Sequence, residues 1–201
     1  MYKIKKYEEI VKVVNKILIN ENINKIPVKV SSICYSNNIL LFSYKEGYNI
    51  IKKLELDDKL YNKGFSIYIN NKYIIFYDEN QDIKLIRFII AHELGHIFLN
   101  HFQVDYINDN ISILEEEANI FAISLLIPIQ ILNKININKF KDIPIIFDIP
   151  LDFLKYIKLK HNKIKIYNNF KKYINNIKNL NQCYLFLFLQ FLCQLFDYLS
   201  Y

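Results

Sequence analysis

Apolar residues recur along this chain in two rhythms, one helical and one stranded. Over residues 4–19 they return at helical spacing, as Ile10, Val13, Val14, Ile17 and Leu18, which predicts an amphipathic first helix. Pro27 is placed to open a short helix over residues 28–36, where its missing N–H would have had no partner, and Asn37-Asn38 stops it. Residues 39–44 read as a strand, followed by a Lys- and Leu-rich helix around residues 48–60. Phe65 to Ile69 and Lys72 to Tyr77 flank Asn70-Asn71, the pattern of a hairpin with a tight turn. Asparagine is the best non-glycine choice for the positive φ such a turn demands. A polar turn leads into a strongly apolar helix over about residues 82–100, then a loop over 101–111 and a helix over about 112–127 closed by Pro128. Further on, residues 129–133 suggest a short helix, and 140–159 suggest two small helices punctuated by Pro144 and Pro150.

The sharpest break in this pattern lies inside the most apolar helix. His92-Glu93-Leu94-Gly95-His96 stands between Phe88-Ile89-Ile90 and Ile97-Phe98-Leu99, so a largely buried helix carries two imidazoles and a carboxylate. Without partners, such groups cost roughly 2–7 kcal/mol each inside a protein. The spacing gives them a purpose. H-E-x-x-H on a helix turns His92 and His96 to one face, at about 100° per residue, where both can hold one zinc ion. Glu93, one step round, can act as a base on a metal-activated water without being a ligand.

A catalytic zinc needs a third protein ligand. The metzincin continuation is absent: Leu99 stands at its glycine position, Phe102 at its third-histidine position, and His101 is one residue out of register. The next helix offers Glu115-Glu-Glu-Ala-Asn-Ile-Phe-Ala122 instead. Glu115 and Asn119 share one face, and Ala118 and Ala122 are small enough for close packing. An asparagine one turn from a ligand carboxylate can accept a hydrogen bond from a ligand histidine. Three consecutive glutamates blur the register, so Glu117 stays open as the alternative to Glu115.

Arg87 to His101 and Glu115 to Pro128 together resemble the ImmA/IrrE family of zinc-dependent metallopeptidases. The second block is similar to that family's E-x-x-A-[ND]-x-F-A…L-L-x-P signature. The resemblance extends upstream through Gly64 to Asp78 and, more weakly, as far as about residue 160. It implies an α+β, zincin-like fold: a small sheet with a β-hairpin packed on the H-E-x-x-H helix and the following glutamate-bearing helix. Residues 1–133 would be the metallopeptidase domain and residues 134–201 a helical C-terminal extension. It further implies His92, His96 and Glu115 as zinc ligands, Glu93 as the catalytic base and Asn119 behind a ligand. The implied activity is a zinc metalloendopeptidase cleaving a regulatory protein such as a helix-turn-helix repressor. The edge strand of the hairpin either pairs with an extended substrate or merely covers the active-site helix. Tyr77 and His101 are the candidates for stabilising an oxyanion, a choice that spacing does not make.

Composition changes this picture in few places. A hydrophobic content of 52% over 201 residues supports one domain, or a domain with a small appendage. Arg87 is the only arginine, and the abundance of Lys, Asn, Ile and Tyr is the bias of an AT-rich genome rather than a functional signal. A net charge of +6 permits an acidic partner. Between Phe153 and Phe196 there is no acidic residue, while Lys155, Lys158, Lys160, Lys163, Lys165, Lys171, Lys172 and Lys178 accumulate. This reads as a solvated helical face. The alternative is a non-catalytic regulator that binds a transcription factor or nucleic acid through that segment. Cys34, Cys183 and Cys193 form no C-x-x-C pair and fit free thiols in a reducing compartment. The N-terminus has no apolar run before a small-residue cleavage site, so a cytoplasmic protein is expected. Residues 184–201 are apolar except for a few polar positions such as Gln190, Gln194 and Asp197, and the run is shorter than the ~20 residues of a membrane span. Packing on the domain or a homodimer contact is expected there, not a membrane.

Overall fold

A computed structural model describes residues 2–103, 108–128, 131 and 142–150. Among these the fold is α+β, a three-stranded sheet with six α-helices. Helix α1 (Tyr2–Asn20) buries Ile10, Val11, Val14, Ile17 and Leu18 and lies along α5, the helix at Asn108–Leu126. Helix α2 is Val30–Ser36. Its start differs from expectation: Pro27 follows a cis peptide and precedes the helix, whose N-cap is Lys29. The Glu21 carboxylate accepts from Ser36 Oγ at 2.5 Å and Asn37 Nδ2 at 2.9 Å, joining the ends of α1 and α2.

Strand β1 (Leu40–Ser43) runs straight into helix α3 (Tyr44–Lys53). The helix begins earlier and ends earlier than the residues 48–60 expected from composition. The reason is local: Ser43 Oγ accepts from the Glu46 N–H, while the Glu46 carboxylate accepts from the Ser43 N–H. This reciprocal capping box fixes the first turn. The far end stops at Leu54, with Glu55 at φ 54°, and Asp57–Tyr61 forms a separate 3-10 turn.

Strands β2 (Gly64–Ile69) and β3 (Lys72–Tyr77) form the expected hairpin, with Asn70 and Asn71 at φ 50° and 59°. The sheet order is β1-β3-β2, with β1 parallel and β2 antiparallel to β3, so β2 is an edge. Alternation divides β2 and β3 between two layers. Phe65, Ile67, Ile69, Ile74 and Phe76 face a small core with Ile51 of α3. Ile75, with Tyr73 and Tyr77 beside it, joins the main core on the opposite face, where helix α4 (Ile83–Phe98) lies. Ser66 pairs with Ile75 and shares its face.

Helix α4 is buried nearly all round, through Ile86, Phe88, Ile89, Ile90, Ala91, Leu94 and Ile97. Asp82 caps its start by accepting from the Lys84 N–H at 2.9 Å. Its main partner is α5, which begins about four residues before the expected start at 112. Gly95 sets how closely these two helices approach. A Cβ there would lie 2.9 Å from Ala118 Cα and 3.1 Å from Ala118 O, both backbone atoms. We expect Gly95→Ala to destabilise the protein by about 1–3 kcal/mol through overpacking, despite alanine's better helix propensity. Thermal unfolding of the two proteins checks this, with a lower midpoint in the variant as the expected result.

Helix α6 (Ile143–Phe147) carries Pro144 in its first turn, where a proline opens a helix instead of breaking one. Phe147 and Ile149 belong to the main core. The helices expected over 129–133 and 151–159, the boundary at 133/134, the lysines of residues 155–178, Cys183, Cys193 and the apolar residues 184–201 lie outside the described residues, apart from Ile131, which is helical. Among the described residues no helix is long and apolar enough to cross a membrane.

Candidate metal centre

His92 and His96 lie one turn apart on α4, and their Nε2 atoms are 3.0 Å from each other. Glu115, from α5, completes the group: its carboxylate oxygens lie 3.2 Å from His92 Nε2 and 3.3 Å from His96 Nε2. The sequence-predicted trio is thus brought together, its candidate ligand atoms all within 4.8 Å of one another. Both histidines are mostly buried, whereas Glu115 is about half exposed, which leaves the cluster open on one side.

What stands behind each imidazole decides its chemistry. His92 Nδ1 lies 2.9 Å from Asn119 Oδ1, so Nδ1–H donates to the amide oxygen and Nε2 keeps its lone pair. His96 Nδ1 faces His101 Nδ1 at 3.0 Å, and His101 Nε2 faces Glu117 Oε2 at 3.2 Å. Where both rings carry their proton on Nδ1, three electron-rich atoms, two Nε2 and one carboxylate oxygen, crowd a single point. They repel one another unless a cation lies among them. The donor set of two imidazoles and one carboxylate suits a divalent metal, and three protein ligands are the number found at catalytic zinc sites.

The electrostatics agree. Burial pushes the His92 pKa down, but the hydrogen bond to Glu115, the charges of Glu93 and Glu115 and the bond to Asn119 outweigh it, and the net shift is upward. Burial likewise raises Glu115, yet hydrogen bonds and charge from His92 and His96 carry it well below the ordinary carboxylate range. Both net shifts have one origin, the close approach of imidazole and carboxylate.

Glu93 is buried and stands outside the ligand group, where its Oε2 accepts a 2.5 Å hydrogen bond from Ser66 Oγ. Ser66 had no sequence signal. Its partner lies 27 residues away, and only the pleat of β2 turns it toward α4. Two sequence expectations change. Glu117 does not join the trio; two residues beyond Glu115 it is turned about 200° round the helix and meets His101 instead. His101 is no oxyanion donor, because it is 2% exposed and both ring nitrogens are engaged with His96 and Glu117. Tyr77 packs against the main core, and burial, with the charges of Glu46 and Glu79, pushes the pKa of its hydroxyl up.

Arg87 fixes the start of α4 in its surroundings. Its guanidinium donates to Phe147 O at 3.4 Å, Asp148 O, Asp148 Oδ2 at 2.7 Å and Val28 O at 3.2 Å. One side chain therefore ties α4 to α6 and to the loop before α2.

Comparison with known proteins supports the same reading. No curated protein sequence matches the chain. Residues 48–145 match the family described as Peptidase M78, IrrE N-terminal-like domain, a span running from within α3, through the hairpin and both site helices, into α6. Residues 48–145, just under half of the chain and carrying His92, Glu93, His96 and Glu115 together, thus form a metallopeptidase domain of the ImmA/IrrE type.

Proposed function

We propose that the protein is a zinc-dependent endopeptidase that cleaves a regulatory protein, of which a helix-turn-helix repressor is the type suggested by the family resemblance. The observation that carries this reading is the convergence of His92 Nε2, His96 Nε2 and a Glu115 oxygen, with the histidine Nδ1 atoms occupied from behind. His92, His96 and Glu115 would hold the zinc. When bound, zinc supplies Lewis acidity, polarising a peptide carbonyl and lowering the pKa of water to about 7.

The remaining work belongs to the chain. Glu93 takes the proton of the attacking water and returns it to the leaving amine. Ser66 holds one Glu93 oxygen, Oε2, which leaves Oε1 for the proton. Because Ser66 lies on the edge strand β2, a peptide that pairs with this edge runs past the base with its main chain extended.

The test is equilibrium dialysis against zinc, followed by incubation with a helix-turn-helix repressor encoded alongside the protein. About one zinc per chain and discrete repressor fragments are the expected result. A chain that takes up no zinc refutes the site. Zinc uptake with an intact repressor refutes the proposed substrate and leaves the metal centre standing.

A further inference from the structure

The Glu117–His101–His96 chain is more than packing. We propose that Glu117 and His101 are positioning residues that set the proton arrangement of His96, acting through one another and not on substrate. The inference rests on the metal-site reading above, since it concerns one of the residues assigned there as ligands.

The logic starts at the carboxylate end of this chain of contacts. A carboxylate only accepts, so Glu117 Oε2 at 3.2 Å requires the proton of His101 to reside on Nε2. A neutral His101 then has a bare Nδ1. Across the 3.0 Å contact that Nδ1 can only accept, so His96 must donate from its own Nδ1. A neutral His96 protonated at Nδ1 has a bare Nε2, the atom that faces Glu115 and His92. For neutral imidazoles each step leaves one choice of tautomer. Beginning at Glu117, the chain ends in a lone pair directed at the metal position.

The two histidines of the motif are therefore held by different means. His92 leans on a neutral amide, Asn119, within direct reach. His96 meets another histidine instead and borrows an acceptor two contacts away. The arrangement also accounts for two polar groups in the interior: His101 is 2% exposed and Glu117 7% exposed, and burying either without a partner would be costly. A histidine five residues after His96 needs the turn at Leu99–Asn100, with Asn100 at φ 58°, to fold back against it.

Ring-nitrogen NMR of the metal-free protein at neutral pH tests the assignment without a substitution. His101 is expected as the Nε2–H tautomer and His96, in the molecules where it is neutral, as Nδ1–H; the Nε2–H form of His96 overturns the proposal. Zinc affinity of full-length variants gives the second readout. Glu117→Leu and His101→Phe are expected to weaken zinc binding roughly 10–100-fold, the range for outer partners of a ligand histidine. Glu117→Gln keeps an acceptor oxygen for His101 and is expected to retain most of the affinity. A folded Glu117→Leu protein with wild-type affinity and an unchanged His96 tautomer overturns the positioning role alone. A wild-type chain that binds no zinc overturns the metal site and the role together.

Discussion

Glu93→Gln is expected to lose peptide hydrolysis by roughly 10²–10⁴-fold, the contribution typical of a general base, while binding as much zinc as wild type. The substitution is nearly isosteric. Its amide oxygen still accepts from Ser66, and the residue lies outside the His92–His96–Glu115 group, so neither fold nor ligand set should change. What it cannot do is take a proton from water. Initial rates on the cleaved repressor, measured with metal content, separate the two effects. If the variant keeps full cellular function while hydrolysis is lost, the protein works by binding its partner and the peptidase reading of its role is wrong.

Glu115→Ala should act in the opposite order. Metal is lost first, by more than the roughly 10–100-fold typical of outer-shell changes, and hydrolysis falls because of it. The pH dependence has a definite sign. A raised His92 pKa contributes stability to the metal-free fold that is fully present below the unfolded value of 6.5 and disappears as pH rises through the folded value. The depressed Glu115 contributes stability that is present above its unfolded value of 4.5 and disappears as pH falls through the folded value. Their contact therefore helps the metal-free protein most between those two unfolded values. Zinc needs His92 neutral, so it competes with protonation, which the raised pKa of His92 favours. The zinc-induced rise in melting temperature should grow from pH 6 to pH 8 in wild type and nearly vanish in Glu115→Ala. A rise that shrinks with increasing pH would contradict this account of the site.

Much of this was legible in the sequence, for physical reasons that vary by residue. His92, Glu93 and His96 depend only on the rotation of one helix, so their spacing states their geometry. The hairpin was legible because Asn70-Asn71 has few other uses between two alternating apolar runs. The choice between Glu115 and Glu117 depends on how α5 is rolled against α4, a tertiary quantity. That roll places Gly95 against Ala118 and turns Glu115 toward His92 and His96. Ser66 was invisible because a serine in a strand is unremarkable until a specific helix crosses behind it. The start of α3 was legible in Ser43-Tyr-Lys-Glu46, a capping-box pattern that the Lys- and Leu-rich stretch after it obscured.

Arg87 gives the composition a different meaning. Of the 26 basic Lys and Arg residues in this chain, it alone is an arginine. Its planar guanidinium meets acceptors from two distant segments at once, a fork that a single ammonium does not offer. A lysine supplies a charge; this position requires a shape. In a chain so depleted of one residue type, the lone survivor works as a label, marking in the composition itself the point where three segments meet.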